Sequence, residues 1–480
     1  VVPESRIVVR SDAPVNADGD YVLYWMIAAR RTAYSFGLDR ALEHARALGK
    51  PLVVFEPLRA GHRWASRRIH QFVLQGMVDN AAACRDAGVR YVSYVEPTHG
   101  DGAGLLGHLA SRAAVVVTDH FPSFFLPRMV ASAAASLPVR LEAVDGNGIL
   151  PLTEAPKTFT VAHAFRRHVQ RTVADHLEDR PVAAPLAGYD LGVATVDLGR
   201  WGESDPSALL AADLAGIDVA GPGTIALHGG AHAAQGHLDR FLRDGLPRYH
   251  EDRNDPSIQV ASGLSPYLHF GHVSVHDVFA RIEAREAGWR SGDLPPKPNG
   301  KREGWWGMSA PSEAFLDEIL TWREVGYTFC HREPDYDRFE TLPEWAQITL
   351  DEHADDARPT VYTLEQLHQA RTHDEIWNAA QRQLRREGRI HNYLRMLWGK
   401  KVLEWSPSPR EAWDRLIDLN NRWAIDGRNP NSYSGIAWTF GRFDRAWGPV
   451  RPIFGKVRYM SSDSTRRKLR LKPYLSRWAA

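Results

Sequence analysis

RIHNYLRMLWGKKVLEWSPSPREAWDRLIDLNNRWAIDGRNPNSYSGIAW, residues 389–438, sets a helix ahead of a polar loop rich in Gly, Pro and Asn. On that helix Arg395, Trp398 and Trp405 fall on nearly one face. Trp398 and Trp405 stand one heptad apart, about 10 Å of helical rise. Each indole brings bulk and an N–H that needs a partner. Two indoles beside an arginine read equally well as core packing and as a functional stripe. The local pattern leaves both open.

Outward from this stretch the helical texture continues. Apolar periodicity recurs at 232–244, 271–287, 312–330, 363–371, 373–387, 389–404 and 409–422, with no strand signal beyond 232. Residues 229–480 are therefore expected to form an all-helical domain. Lys400, Lys401 and the arginines at 382, 385, 386 and 389 are expected to make its exposed face basic. A basic, Pro/Gly-rich insertion at 288–311 reads as a mobile loop.

The N-terminal part reads differently. YVLYWMI (21–27), PLVVFEPL (51–58), VRYVSYVE (89–96), AAVVVTDH (113–120) and VRLEAVDG (139–146) are near-continuous apolar runs. Amphipathic stretches at 34–48, 66–86, 102–112 and 127–136 separate them. Buried strands alternating with helices predict a doubly wound, Rossmann-like parallel sheet of about five strands over 1–149, with RIVVR (6–10) as an edge piece. Residues 150–228, rich in Ala, Pro, Gly and Asp, read as an inter-domain linker with one helix. The fold class is α/β plus all-α. Gly100-Asp101-Gly102-Ala103-Gly104 follows a late strand with the wrong spacing for a dinucleotide fingerprint, so it reads as a loop and helix start.

Composition narrows the function. Hydrophobic content of 44% and charged content of 24% describe a globular chain. There is no apolar run long enough to span a membrane. Two cysteines and 21 scattered histidines predict neither a disulfide framework nor a metal site. The first twenty residues lack a secretory pattern, so a cytoplasmic location is expected; the chain is also expected to be a monomer. A net charge of +1 hides an asymmetry: residues 442–477 carry eleven Lys/Arg against Asp444 and Asp463. Interleaved with Phe443, Trp447, Phe454 and Tyr459, this block suits a phosphate backbone as well as a plain solvated face.

Three further constellations carry chemistry. SGLSPYLHFG (262–271), after Tyr249 and RNDP (253–256), offers backbone N–H and hydroxyl donors to phosphate, or simply a helix start with Ser265 as N-cap and Pro266 at N1. Glu318 and Trp322, four apart in FLDEILTWREVGY, share a helix face. That suits a carboxyl of raised pKa beside a stacking platform, and equally an exposed Glu beside a core Trp. WNAAQ adds Trp377 to Trp398 and Trp405.

RNDP…SGLSPYLHFG, WNAAQ…HNYLRMLWGKKVLEW, DGRNPNSYSGIAW and RPIFGKVRYM together resemble the photolyase/cryptochrome flavoproteins, and within them the class II cyclobutane pyrimidine dimer photolyases. The resemblance implies a helical FAD-binding catalytic domain behind an α/β antenna domain, and repair of UV-damaged DNA driven by light absorbed by reduced FAD. It places Tyr249, Ser262, Gly263, Leu264, Ser265, Asn392, Arg395, Asn420, Asp426 and Asn431 around FAD, with Asn420 facing flavin N5 as in class II. Trp398, Trp377 and Trp405 match the class II electron relay, whereas Ile436 stands where class I has its first relay tryptophan. Glu318, Trp322, Met396 and Trp438 match the pocket for the flipped dimer. Arg442, Trp447, Arg451, Lys456, Arg458, Arg466, Arg467 and Lys468 would hold the DNA. An antenna chromophore, deazaflavin or folate, is left open by the N-terminal motif. The rival implied by the same resemblance is a blue-light sensor without repair activity. A dark flavin oxidoreductase is a weaker one, for want of a nicotinamide fingerprint.

Overall fold

The structure, a computed structural model, describes Val1–Ala479. The chain divides into two compact units. The first comprises Val1–Pro156, Thr172–Asp239 and Gly263–Gly292; the second comprises Lys157–Arg171, Arg240–Ser262 and the chain from Asp293 onward. Residues 150–228 thus contribute to both units, and they carry two α-helices, Ala162–Thr172 and Pro206–Ala211, where the sequence suggested one. The extra helix is short but well signalled: Asp205 accepts from the N–H groups of Ser207 and Ala208, and Pro206 opens the first turn.

The first unit is built on a six-stranded sheet of β1 (Ile7–Val9), β2 (Tyr21–Trp25), β3 (Leu52–Leu58), β4 (Arg90–Val95), β5 (Ala113–Asp119) and β6 (Leu141–Val144), in the order β1-β6-β5-β2-β3-β4. The five strands read from apolar runs pair in parallel, and β1 adds an antiparallel edge. Every residue of β2 and β5 is buried, as a sheet covered on both faces requires. Helices Phe36–Leu48, Arg67–Asp86, Leu105–Ala110 and Leu126–Ala134 fill the expected intervals. The Gly100–Gly104 loop already has its anion. Glu96 Oε1 accepts from the N–H of Gly100 at 2.9 Å and of Gly102 at 3.3 Å, so the loop's donors are spent inside the fold.

Residues 263–292, expected to belong with the helical domain, pack instead in the first unit. Gly271 explains the fit. Its φ is +72°, and a Cβ there would lie 2.0 Å from the carbonyl oxygen of Ala28. Arg31 Nη1 donates to the Gly271 carbonyl at 3.0 Å.

The second unit is helical. Its longer members include Ala310–Leu316 running on through Asp317–Trp322 to Arg323–Arg332, then Glu375–Glu387, Asn392–Trp405 and Pro409–Trp423. Three sequence expectations change here. The polar loop after 424 contains a further helix, Pro430–Thr439, started by Asn429 accepting from Asn431 N–H at 2.8 Å with Pro430 in the first turn. The 288–311 insertion is anchored rather than loose: Gln170 bonds Asn299, Gly300 and Lys301 backbone groups, and Trp305 and Trp306 are buried. Lys400 and Lys401 are buried, because helix Asn392–Trp405 is enclosed on nearly all sides and has no broad solvent face.

Candidate functional site

Arg395 lies one turn into helix Asn392–Trp405 and reaches the end of helix Pro409–Trp423. Its Nη1 donates to Asn420 Oδ1 and its Nη2 to Asp426 Oδ1, each at 3.4 Å. Arg428 nearby is fully buried and donates to the backbone carbonyls of Asn421 and Ile425, which fixes the turn that presents Asp426. A guanidinium, a carboxamide and a carboxylate therefore meet in one cluster. Both of Arg395's bonds are long, which leaves it capacity to donate elsewhere. Asn392, the first residue of the same helix, is exposed. His391 before it keeps a buried Nδ1 with no partner, and burial pushes its pKa down to about 4.

Three residues on from Arg395 in the same helix an indole stack begins. Trp398 and Trp377 lie parallel, with centroids 6.3 Å apart and planes 5° from coincidence. Trp405 meets Trp377 edge-on at 5.7 Å. The three rings are 3%, 0% and 2% exposed for Trp398, Trp377 and Trp405. Two of the N–H groups are satisfied: Trp377 Nε1 donates to the Trp398 carbonyl at 3.1 Å, and Trp398 Nε1 to Gln381 Oε1 at 2.9 Å. Trp405 in turn touches half-buried Tyr362, edge-on at 5.4 Å, so the stack runs from the helix interior toward the surface. Heptad spacing placed two of these rings on one helix; Trp377 from Glu375–Glu387 is the ring that joins them.

Glu318 and Trp322 sit on a π-helical turn, Asp317–Trp322, inside an otherwise α-helical run. The wider turn still keeps residues four apart on one side. Glu318 is 29% exposed, with Arg253 Nη1 3.4 Å from its carboxylate. Burial pushes its carboxyl up to about 7, against the pull of Arg253 and with help from Asp317. Asn431 opens the facing helix Pro430–Thr439 and donates to the carbonyls of both Trp322 and Arg323 at 3.1 Å, which locks the turn carrying Trp322. Trp322, Met396 and Trp438 are each half-buried. Tyr249 is buried edge-on against Phe241 at 5.6 Å and Phe315 at 5.3 Å, with the Arg253 guanidinium 5.7 Å from its ring.

Other candidates fall elsewhere. Ser262 ends a segment of the second unit, while Gly263, Leu264 and Ser265 belong to the first. Helix Ser265–His269 has Leu264 at its N-cap, one residue before the expected Ser265, and Gly263 at φ +67° makes the preceding bend. Among the basic residues, Arg451, Lys456, Arg458, Arg467 and Lys468 are exposed. Arg466 is also exposed but pairs with Glu375 at 3.0 Å. Arg442 does not stand with them. It is 2% exposed, donates to the Thr341 carbonyl and packs on Phe329, so it is a buried strut and not a phosphate ligand. Trp447 is half-buried, sandwiched between Arg445 at 4.7 Å and Arg458 at 4.8 Å.

No family model matches the chain. Individual relatives do. It is 35% identical over 460 residues to the deoxyribodipyrimidine photo-lyase of Methanothermobacter thermautotrophicus, covering 96% of this chain and 94% of the relative. It is 34% identical to the enzyme of that name from Oryza sativa, over 95% of this chain and 87% of the relative, and 30% identical to that of Arabidopsis thaliana, over 96% and 90%. The chain belongs to the photolyase family. A crystal structure of a bacterial class III photolyase from Agrobacterium tumefaciens superposes with a TM-score of 0.67 at 18% identity, over 96% of this chain and 86% of that one. The photolyase fold, an α/β sheet followed by a largely helical part, is thus shared well beyond sequence similarity. Membership in the photolyase family implies a flavin. Among the described residues no cluster of metal-ligating side chains occurs, and no helix is long and apolar enough to cross a membrane.

Sequence reasoning passed over three residues of this candidate site. Arg253 was visible only as the first letter of RNDP, and its partner Glu318 lies 65 positions away. Gln381, which holds Trp398, looked like any polar helix residue. Lys400 was assigned to a solvent face. Each is defined by a long-range contact, which no local pattern announces.

Proposed function

We propose that the chain repairs cyclobutane pyrimidine dimers in DNA with light, as a class II photolyase carrying FAD. The Arg395–Asn420–Asp426 cluster fits the polar edge of an isoalloxazine ring: an amide and a guanidinium supply donors, and the carboxylate balances the half-buried cation. The chemistry supplied by bound reduced flavin is donation of one electron to the dimer under light, and its recovery after the ring splits.

The residues of the chain do the rest. Trp322 and Trp438 give aromatic faces to bases taken out of the stack, at a cost of a few kcal/mol that is smallest for a distorted lesion. Glu318, protonated below about 7, donates a hydrogen bond to a pyrimidine carbonyl. Met396 fills the space beside it. Tyr249, Ser262, Gly263, Leu264, Ser265, Asn392 and Asn431 are proposed for cofactor binding, the serines and glycine at its phosphates. Trp398, Trp377 and Trp405 carry electrons in from the surface, so that the resting enzyme can be reactivated. Arg451, Trp447, Lys456, Arg458, Arg466, Arg467 and Lys468 hold the duplex; Arg442 is withdrawn from that set.

The single observation that carries this reading is the unbroken indole stack that starts within one helical turn of Arg395. Purified holoprotein should show a flavin absorption spectrum, become photoreduced, and under blue light restore the absorbance of UV-irradiated oligothymidine. Photoreduction without restoration would favour the sensor reading. A second absorption band beyond that of flavin would reveal an antenna chromophore in the α/β domain proposed for it.

A further inference from the structure

Lys400 is the most deeply buried lysine in the second unit among the described residues, with 0% exposure. It lies where two helices touch. A Cβ on Gly399 would stand 2.7 Å from Thr439 Oγ1, so helix Asn392–Trp405 crosses the end of helix Pro430–Thr439 at glycine contact. The next side chain, Lys400, passes through that crossing. Its Nζ donates to the Thr439 carbonyl at 2.5 Å, on the last residue of the helix. The same nitrogen is 4.9 Å from the centre of the Trp438 ring.

Two charged groups bear on it from the chain that follows, Asp444 and Arg458. Asp444 attracts the ammonium and Arg458 repels it. Asp444 Oδ1 accepts from Arg445 N–H at 2.9 Å and Trp447 Nε1 at 3.1 Å, while its Oδ2 is buried with no hydrogen-bond partner. Arg458 stands 5.9 Å from the Trp438 ring and 4.8 Å from that of Trp447. A helix C-terminal carbonyl and an indole face, both electron-rich, meet the cation directly, and the Asp444 carboxylate attracts it from farther off. An apolar side chain of the same length would fill the crossing without charge to bury.

We propose that Lys400 is a positioning residue for lesion recognition: its ammonium clamps the Trp438 ring and the turn carrying Asp444 and Trp447, and deprotonation releases both. The inference rests on the assignment of Trp438 to the dimer pocket. Burial pushes the Lys400 pKa down to about 7, so the clamp is engaged at acid pH and relaxes as pH rises through neutrality. Lysine can be neutralised in this way, whereas arginine cannot.

The test is binding of a duplex oligonucleotide with a single thymine dimer, against the undamaged duplex, by flavin-loaded protein from pH 6 to 9. Glu318 titrates in the same range, so all variants carry Glu318→Gln. In that background the preference for damaged DNA should fall about tenfold as pH rises, equivalent to about 1.4 kcal/mol. Lys400→Met should lower it to the high-pH level and make it flat. Asp444→Asn, which removes the attracting carboxylate, should move the midpoint to lower pH while the thermal transition still reports a folded protein. A folded Lys400→Met variant with the parent's pH profile, or an unmoved midpoint in Asp444→Asn, overturns the proposal. If the parent and the unsubstituted protein prefer damaged DNA at no pH, the repair reading fails first and takes this one with it.

Discussion

Glu318 and Lys400 are two ionisable side chains of one unit that burial drives toward neutrality near pH 7. For Glu318 the sign is definite. A carboxyl whose folded value lies above the ordinary 4.5 holds its proton more tightly when folded, so its contribution to stability declines as pH rises from about 4.5 to about 7. Function follows the same proton. Dimer repair should decline through pH 7 as the O–H donor is lost. Glu318→Gln keeps a donor and should remove the Glu318 share of that decline, leaving the part that belongs to Lys400, while Glu318→Ala should lower repair at acid pH by about fivefold, the worth of one hydrogen bond near 1 kcal/mol. Flavin content should be unchanged in both. At the same scale, Trp377 is the sole ring touching both Trp398 and Trp405 among the described residues. Trp377→Phe should cut photoreduction of the oxidised holoenzyme at least tenfold and leave repair by chemically pre-reduced enzyme intact. Equal losses in both assays would make the stack mere packing. The sequence brought Trp398 and Trp405 to one face and supplied Trp377 beside them, yet it took the family resemblance to link the three as one relay, because the joining contact spans two helices.

Elements were legible where a local rule was enough. Continuous apolar runs marked all five parallel strands, since a strand buried on both faces has little choice of residue. Period and caps marked most helices. Of the elements that escaped, two did so for physical reasons. Helix Pro430–Thr439 has Gly, Ser and Asn in place of good helix formers, and only its Asn429 cap and Pro430 betray it. The π-turn Asp317–Trp322 departs from the α-helical period that the sequence pattern reports. Close packing explains the first: a Cβ on Gly326 would sit 2.8 Å from Ser434 Oγ, so small residues let helices Arg323–Arg332 and Pro430–Thr439 meet. A helix with poor intrinsic propensity depends more on its cap. Asn429→Ala removes the bond to Asn431 N–H and should cost about 1 kcal/mol, within the range of about 0.5–2 seen for such caps. Because this helix holds Trp438 and, through Asn431, the Trp322 turn, chemical denaturation and dimer binding should weaken together. A stability loss with unchanged binding would separate the helix from the pocket.

Over the whole molecule, the net charge of +1 conceals how cations are used. Sequence counting placed eleven basic residues between 442 and 477 without telling which are free. Burial sorts them: Arg442 is consumed by Thr341 and Phe329, Arg466 is paired with Glu375, and Arg451, Lys456, Arg467 and Lys468 project outward. Counterion release turns that sorting into a measurement. Each phosphate neutralised contributes about 0.9 to the slope of log affinity against log salt on duplex DNA. Arg467→Ala and Lys468→Ala should each flatten the slope by up to about 0.9 and weaken damaged and undamaged duplexes alike. Arg466→Ala should do less, since its charge is already partly spent on Glu375 and breaking that pair frees an acid as well. Trp322→Ala should act in the opposite sense, weakening dimer-containing DNA while the salt slope stays where it was. If the basic variants instead alter discrimination and leave the slope alone, the block reads lesions rather than backbone, and the division of labour between cationic tail and aromatic pocket is reversed.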